Sequence, residues 1–243
     1  MTIDVFVNGH AGRMAGLVTA ALGREMDMVY CGRLVRPEKL EQFKGADPTH
    51  CDLSNFTVSR PVIVDFTAPE VTEKLLNDLA GQSCALVIGT SGINDKVLTR
   101  IKQFAERNPV LFASNFSIGV LLMNSMVAAL AERLPAIWDG GVIDIHFRGK
   151  KDPFSATALA LADSWTRNRG KETPCADVVA LRQGVRVSEH RFLASGLRES
   201  LEVIHRVEDR DAFLGGILTA IRFVSGQKSG FYTLSDAISG EKV

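Results

Sequence analysis

The chain has 243 residues, 46% hydrophobic and 23% charged, with 28 Lys plus Arg balanced by 28 Asp plus Glu. That balance excludes a global field that would gather nucleic acid or an anionic membrane, so an anion site must be a local cluster of donors. Four cysteines without a Cys-x-x-Cys pair, and an amino terminus without a basic then apolar leader, make the cytoplasm the expected compartment.

The length suits one large domain or two modest ones. Ile3 to Asn8 reads as a strand running into Gly9-His10-Ala11-Gly12-Arg13-Met14, after which Met14, Leu17, Val18, Ala21 and Leu22 share one helical face. Further apolar runs follow at Met26 to Leu34, Val62 to Phe66, Ala85 to Ile88 and Val110 to Ala113, with helical patterns near 69 to 80 and 94 to 107. This alternation predicts an α/β fold, a Rossmann-like doubly wound parallel sheet with helices on both faces. A helix over Phe116 to Leu134 comes next, and Ser117, Asn124, Ser125, Glu132 and Arg133 make it too polar for a membrane span.

The texture then changes. Gly141 to Arg148, Val178 to Leu181, Val185 to Leu193 and Leu201 to Val207 read as strands, with one helix near Ser155 to Thr166 among them. They predict a second α+β domain on a mixed sheet. A last helix, Asp211 to Val224 with Gly226 as its C-cap, is expected to return to the first domain. The expected division is 1–117 plus 210–243 for a dinucleotide-binding domain, and 118–209 for substrate binding and oligomerisation.

Gly9 permits a tight turn and Gly12 lets backbone approach a diphosphate at a helix start, with Ala15 at the third glycine position. The second strand offers no carboxylate for a ribose hydroxyl. It offers Cys31-Gly32-Arg33-Leu34-Val35-Arg36, so Arg13, Arg33 and Arg36 are the candidates for an extra phosphate, and NADPH is favoured with NADH as the alternative. Phe66-Thr67, Gly89-Thr90-Ser91 and Ser114-Asn115-Phe116 follow strand ends and are expected beside the nicotinamide, although a turn capping the Pro69 helix explains Asp65-Phe66-Thr67 nearly as well. In the second domain His146, Lys150 and Lys151 precede a Ser155-Ala156-Thr157 turn that opens a helix, an arrangement suited to an anionic small molecule. His190 and His205 read as core or sheet-face residues, His10 as incidental, and His50 as part of a polar loop. The histidines and cysteines lack ligand spacing, so no metal is expected.

Gly9-x-x-Gly12-Arg13-Met14, Val64-Asp65-Phe66-Thr67-x-Pro69, Gly89-Thr90-Ser91-Gly92, Asn115-Phe116-Ser117-Ile118-Gly119-Val120 and His146-x-x-x-Lys150-x-Asp152 stand in one order. With Ser188-Glu189-His190, Asp209-Arg210-x-x-Phe213 and Ser225-Gly226-x-x-Ser229-Gly230, they make the chain resemble the dihydrodipicolinate reductase family over nearly its whole length. The resemblance implies NAD(P)H-dependent reduction of 4-hydroxy-tetrahydrodipicolinate in lysine and diaminopimelate biosynthesis, with His146 and Lys150 as the catalytic pair. It implies a grip on a substrate carboxylate by Ser155, Ala156 and Thr157, and assembly as a homotetramer. Which of His146 and Lys150 supplies the proton stays open. Three departures stand out: Ala156 replaces a glycine, Phe147 replaces a frequent second histidine, and the stretch before Val185 is short. They keep two alternatives in view, a reductase of another cyclic imino or unsaturated acid and a silent NADPH-binding scaffold.

Overall fold

The computed structural model describes residues 2–9, 12–35, 49–50, 60–169, 176–185 and 187–240. These fall into two compact units, one formed by the chain up to Phe116 together with the part from Leu214 onward, the other by Ser117 to Phe213.

The first unit holds a seven-stranded sheet in the order β11-β6-β5-β4-β1-β2-β3, with β1 Ile3–Asn8, β2 Met28–Leu34, β3 Thr49–His50, β4 Val62–Asp65, β5 Ala85–Ile88, β6 Pro109–Phe112 and β11 Gly230–Tyr232. All its pairings are parallel. Strand order runs outward in both directions from β1, so the β1/β4 boundary is the switch point where ligands meet open sheets of this kind. Strands β4 and β5 are buried on both faces, as continuous apolar runs such as Val62-Ile63-Val64 require. Helices α2 (Pro69–Asp78) and α3 (Asp95–Ala105) pack on each other, and their Leu75, Leu76, Val97 and Ile101 join Phe6, Ile63, Leu86 and Ile88 in one core. Helix α1 (Arg13–Leu22) touches β1 and β2, and α6 (Leu214–Ser225) touches α1 and the middle strands.

The second unit is a mixed sheet in the order β10-β9-β7-β8, with β7 Asp139–His146, β8 Asp177–Arg182, β9 Ser188–Ser195 and β10 Ser200–Val207. Strand β8 runs parallel to β7, and the other two pairings are antiparallel. Two helices supply its core, α4 (Ile118–Arg133) through Met123 and Val127, and α5 (Ala156–Arg169) through Leu161 and Trp165, against Val142 and Phe192. Each begins at a serine. Ser117 Oγ accepts from the Val120 amide at 3.3 Å, and Ser155 Oγ from the Ala158 amide at 3.1 Å.

Several boundaries differ from the sequence reading. Val185 is exposed and β9 starts at Ser188, because the strand needs partners on β7 and β10 that begin only there. The final helix starts as a 3₁₀ turn, Arg210–Phe213. The helix ends at Ser225, so Gly226 stands at the expected C-cap, without positive φ and with its amide reaching Phe223 O at 3.2 Å. His50 lies in the short strand β3, and neither β11 nor α7 (Leu234–Gly240) has a periodicity long enough to be read in advance. Among the described residues no helix is long and apolar enough to cross a membrane.

Candidate functional site

In the first unit β1, β4 and β5 are neighbours, so their carboxyl-end loops emerge side by side, and one buried side chain ties them. Asp65 Oδ1 accepts from Asn8 Nδ2 at 3.0 Å and Thr67 Oγ1 at 2.6 Å; Oδ2 accepts from Thr72 Oγ1 at 2.5 Å and Thr90 Oγ1 at 3.2 Å. The Thr67 amide donates to Thr90 Oγ1 at 3.1 Å. Every donor is neutral, so burial dominates and pushes the Asp65 carboxyl above its ordinary range, the four hydrogen bonds only partly opposing it. Thr67 and Thr90 thus commit their hydroxyls to this hub. Glycine at 9 is required twice over, by a φ of +80° and because a Cβ there would lie 2.4 Å from Thr67 Cγ2. Gly89 likewise makes room for the Phe66 ring, which meets buried Phe116 edge-on with centroids 5.3 Å apart. Ser91 and Ser114 are exposed and Asn115 is half-buried.

Helix α1 opens at Gly12 with no side-chain cap and no acidic residue in its first turn. Its first amides and positive dipole end, with Arg13 and Met14 beside them, suit a phosphate. Arg33 joins this end through an irregularity in β2. Val5 pairs with Tyr30 but Phe6 pairs with Gly32, so Cys31 is the extra residue of a bulge, and Gly32 adopts φ +131°. The inserted residue reverses the alternation, and Arg33, opposite Val7, stands on the Tyr30 side of the sheet. A pocket of about 220 Å³ there is lined by Val7, Gly9, Gly16, Thr19, Tyr30 and Arg33. Glycine at the turn, an uncapped helix start and an arginine on the same unit fit a pyridine dinucleotide. Arg36, like His10, lies outside the described residues.

In the second unit Asp144 and His146 stand two residues apart on β7 and so share a face. Asp144 Oδ1 accepts from Ser155 Oγ at 2.8 Å, with His146 Nδ1 at 2.9 Å and His190 Nε2 at 3.4 Å. Its Oδ2 accepts from the Ser155 amide at 2.8 Å and from Arg182 Nη2 at 3.0 Å. Arg182 also donates to the carbonyls of Asp152 at 3.0 Å and Pro153 at 2.9 Å, bracing the turn before α5. Burial alone would raise the Asp144 carboxyl, but His146, His190 and the Ser155 amide and hydroxyl outweigh it and hold the group far below the usual range.

Lys150 follows in a tight turn closed by its own amide on Phe147 O at 3.1 Å. Its ammonium pairs with Asp152 at 2.6 Å, and that contact lowers the Asp152 carboxyl. Lys151 is exposed. The two Ser155 donors read as part of a carboxylate grip are turned into Asp144, because a buried carboxylate must be satisfied first. At this turn that leaves Ala156 and Thr157 on the outer side, at the start of α5. Arg60 is the one described non-glycine residue at positive φ, so Ala156 carries no backbone strain. Asp144 and Arg182 are absent from the sequence reading, while His190, read there as a core or sheet-face residue, is buried and reaches the Asp144 hub. The pattern Asp144-x-His146 was a usable signal, but pairing with His190 depends on the β7/β9 register. Asp144, His146 and His190 also form a compact potential ligand group, yet the Asp144 oxygens are already taken by Arg182 and Ser155.

The family model described as the amino-terminal part of dihydrodipicolinate reductase matches residues 3–116, and its carboxyl-terminal counterpart matches 119–238. A 4-hydroxy-tetrahydrodipicolinate reductase of Rubrobacter xylanophilus is 32% identical, with 98% of each chain covered. One from Wolinella succinogenes is 33% identical, covering 97% of this chain and 98% of its own. Among solved structures, a dipicolinate-bound dihydrodipicolinate reductase from Paenisporosarcina sp. TG-14 superposes with a TM-score of 0.79 at 20% identity, over 96% of this chain and 98% of that one. A myo-inositol dehydrogenase from Corynebacterium glutamicum shares the fold with a TM-score of 0.63 at 12% identity, over 98% and 93%.

Proposed function

The chain belongs to the dihydrodipicolinate reductase family, whose members are pyridine-nucleotide-dependent reductases, and from that premise we propose that it reduces 4-hydroxy-tetrahydrodipicolinate to tetrahydrodipicolinate with NADPH. The ring hydroxyl leaves with a neighbouring ring hydrogen as water, and a hydride and a proton are added to the unsaturated ring, so the net change is one hydride and one proton in and one water out. The observation that carries this reading is that His146 ends β7 and Lys150 stands in the turn that follows, ahead of the start of α5. NADPH, when bound, supplies the hydride. Gly9, Gly12, Arg13 and Met14 receive its diphosphate, and Arg33 faces the extra phosphate. Phe66, Gly89, Ser91, Ser114, Asn115 and Phe116 shape the nicotinamide end, and the Thr67 and Thr90 hydroxyls hold those loops in place.

Lys150 neutralises one substrate carboxylate, exchanging Asp152 for it. Ala156 and Thr157, at the positive end of α5, take the other, with Lys151 adding charge. His146 delivers the proton. The units Met1–Phe116 with Leu214–Val243 and Ser117–Phe213 act as the dinucleotide-binding and substrate-binding parts. Assembly as a homotetramer through the mixed sheet is supported by Val179, Leu181 and Ile204, exposed apolar residues on the sheet.

The test follows NADPH absorbance after adding freshly made 4-hydroxy-tetrahydrodipicolinate. Turnover by the wild type is expected, with kcat lower by roughly 10²-fold or more in Lys150→Ala. NADPH binding without oxidation would refute the reading and leave the silent scaffold; oxidation with another cyclic imino acid only would redirect it to that substrate.

A further inference from the structure

Resting on the proposed role of His146, we propose that Asp144 is a positioning residue that keeps one proton on Nδ1 of the His146 ring, so that Nε2 faces the substrate and the proton the ring takes up there is the one it delivers. The two residues alternate on β7, and Nδ1 of His146 lies 2.9 Å from Asp144 Oδ1. Nδ1 is buried and its contact is bent, not a linear hydrogen bond, so the charge of the carboxylate does the orienting. A lone pair on Nδ1 would face that charge at contact distance, whereas an N–H there is attracted.

Asp144 cannot turn to meet the ring better or worse. The Ser155 amide and Arg182 hold Oδ2, and the Ser155 hydroxyl holds Oδ1. Ser155 Oγ donates to Asp144 and accepts from the Ala158 amide, so the contact with His190 Nε2 at 3.1 Å requires His190 to donate. His190 therefore reaches the same hub, and its ring stands edge-on to His146 with centroids 5.4 Å apart. The imidazole is thus held by a carboxylate below and a second ring beside it. Such an arrangement sets both tautomer and direction before substrate arrives, which is where the rate of a proton transfer is decided.

The decisive measurement is long-range ¹H–¹⁵N correlation on histidine-labelled protein, with His146→Gln identifying the signal. The wild type should show His146 protonated on Nδ1 and bare at Nε2 when neutral, and Asp144→Asn should show a mixture of tautomers. Activity gives a second readout. Asp144→Asn should lower kcat roughly 10²-fold while the Kd for NADPH stays within twofold, and Asp144→Glu should recover at least tenfold. A wild-type His146 protonated on Nε2, or an unchanged tautomer in Asp144→Asn, overturns the proposal. So does unaltered kcat in a folded, NADPH-binding Asp144→Asn enzyme. Absence of wild-type turnover with the expected tautomers would instead refute the assigned reaction and leave the positioning intact.

Discussion

Asp65 and Asp144 are both fully buried, yet they differ in the one respect that sets their charge. Asp65 receives only hydroxyls and an amide, and burial raises it; at Asp144 burial is outweighed by His146, His190 and the Ser155 amide and hydroxyl, and the group is lowered. A raised group contributes stability that is complete below its unfolded value, about 3.9, and is lost as pH rises through the folded one. A lowered group contributes stability present above that value and lost as pH falls through the folded one. Denaturant titrations across pH should therefore show Asp65→Asn losing less stability than the wild type as pH rises from about 4. The same experiment should show Asp144→Asn with a weaker loss below that point. Thr72→Val tests the hub differently, because it strips a donor from a buried oxygen that water cannot reach. It should cost about 1–3 kcal/mol in chemical denaturation.

Strand β2 shows how an element decides what a residue can do. Uninterrupted alternation would place Arg33 opposite Tyr30; the Cys31 bulge puts them on one side, with Gly32 taking a φ that side chains avoid. Gly32→Val should straighten or strain the bulge and weaken NADPH binding by about tenfold, the scale of one charge-assisted hydrogen bond, with Arg33→Ala doing the same. NADH binding should be nearly unchanged in Arg33→Ala, and isothermal titration with both nucleotides reads the difference. In β7 the controlling contact is Gly140, whose added Cβ would come 2.6 Å from the Trp165 indole. Trp165 is wholly buried against Phe192, with ring centroids 5.2 Å apart. Trp165→Ala should cost about 3–5 kcal/mol by thermal or chemical unfolding.

For the molecule as a whole, helices cover one side of the mixed sheet, and Val179 and Ile204 remain in solvent on the other. The proposed assembly through that side should be abolished by Val179→Asp, seen as a smaller particle in light scattering, since a charge there cannot be buried without a partner. A wild type that is monomeric at working concentration would reject the assembly. Much of this organisation was legible in the chain. Runs such as Val62-Ile63-Val64 and Ala85 to Ile88 are too apolar for anything but doubly covered strands, and the Gly9 turn between a strand and an amphipathic helix marks a dinucleotide fold, because periodicity and glycine freedom are local properties. Local chemistry also marked His146 and Lys150. Arg182 and His190 could not be joined to them from spacing, since their meeting with Asp144 depends on which residues of β7, β8 and β9 lie opposite one another. The side taken by Arg33 was equally hidden, because one extra residue in a strand reverses every side chain after it. Sequence alone thus determined the two kinds of sheet and the residues able to hold charge, while only tertiary pairing decided which charges touch, because register is a property of two strands and not of either one.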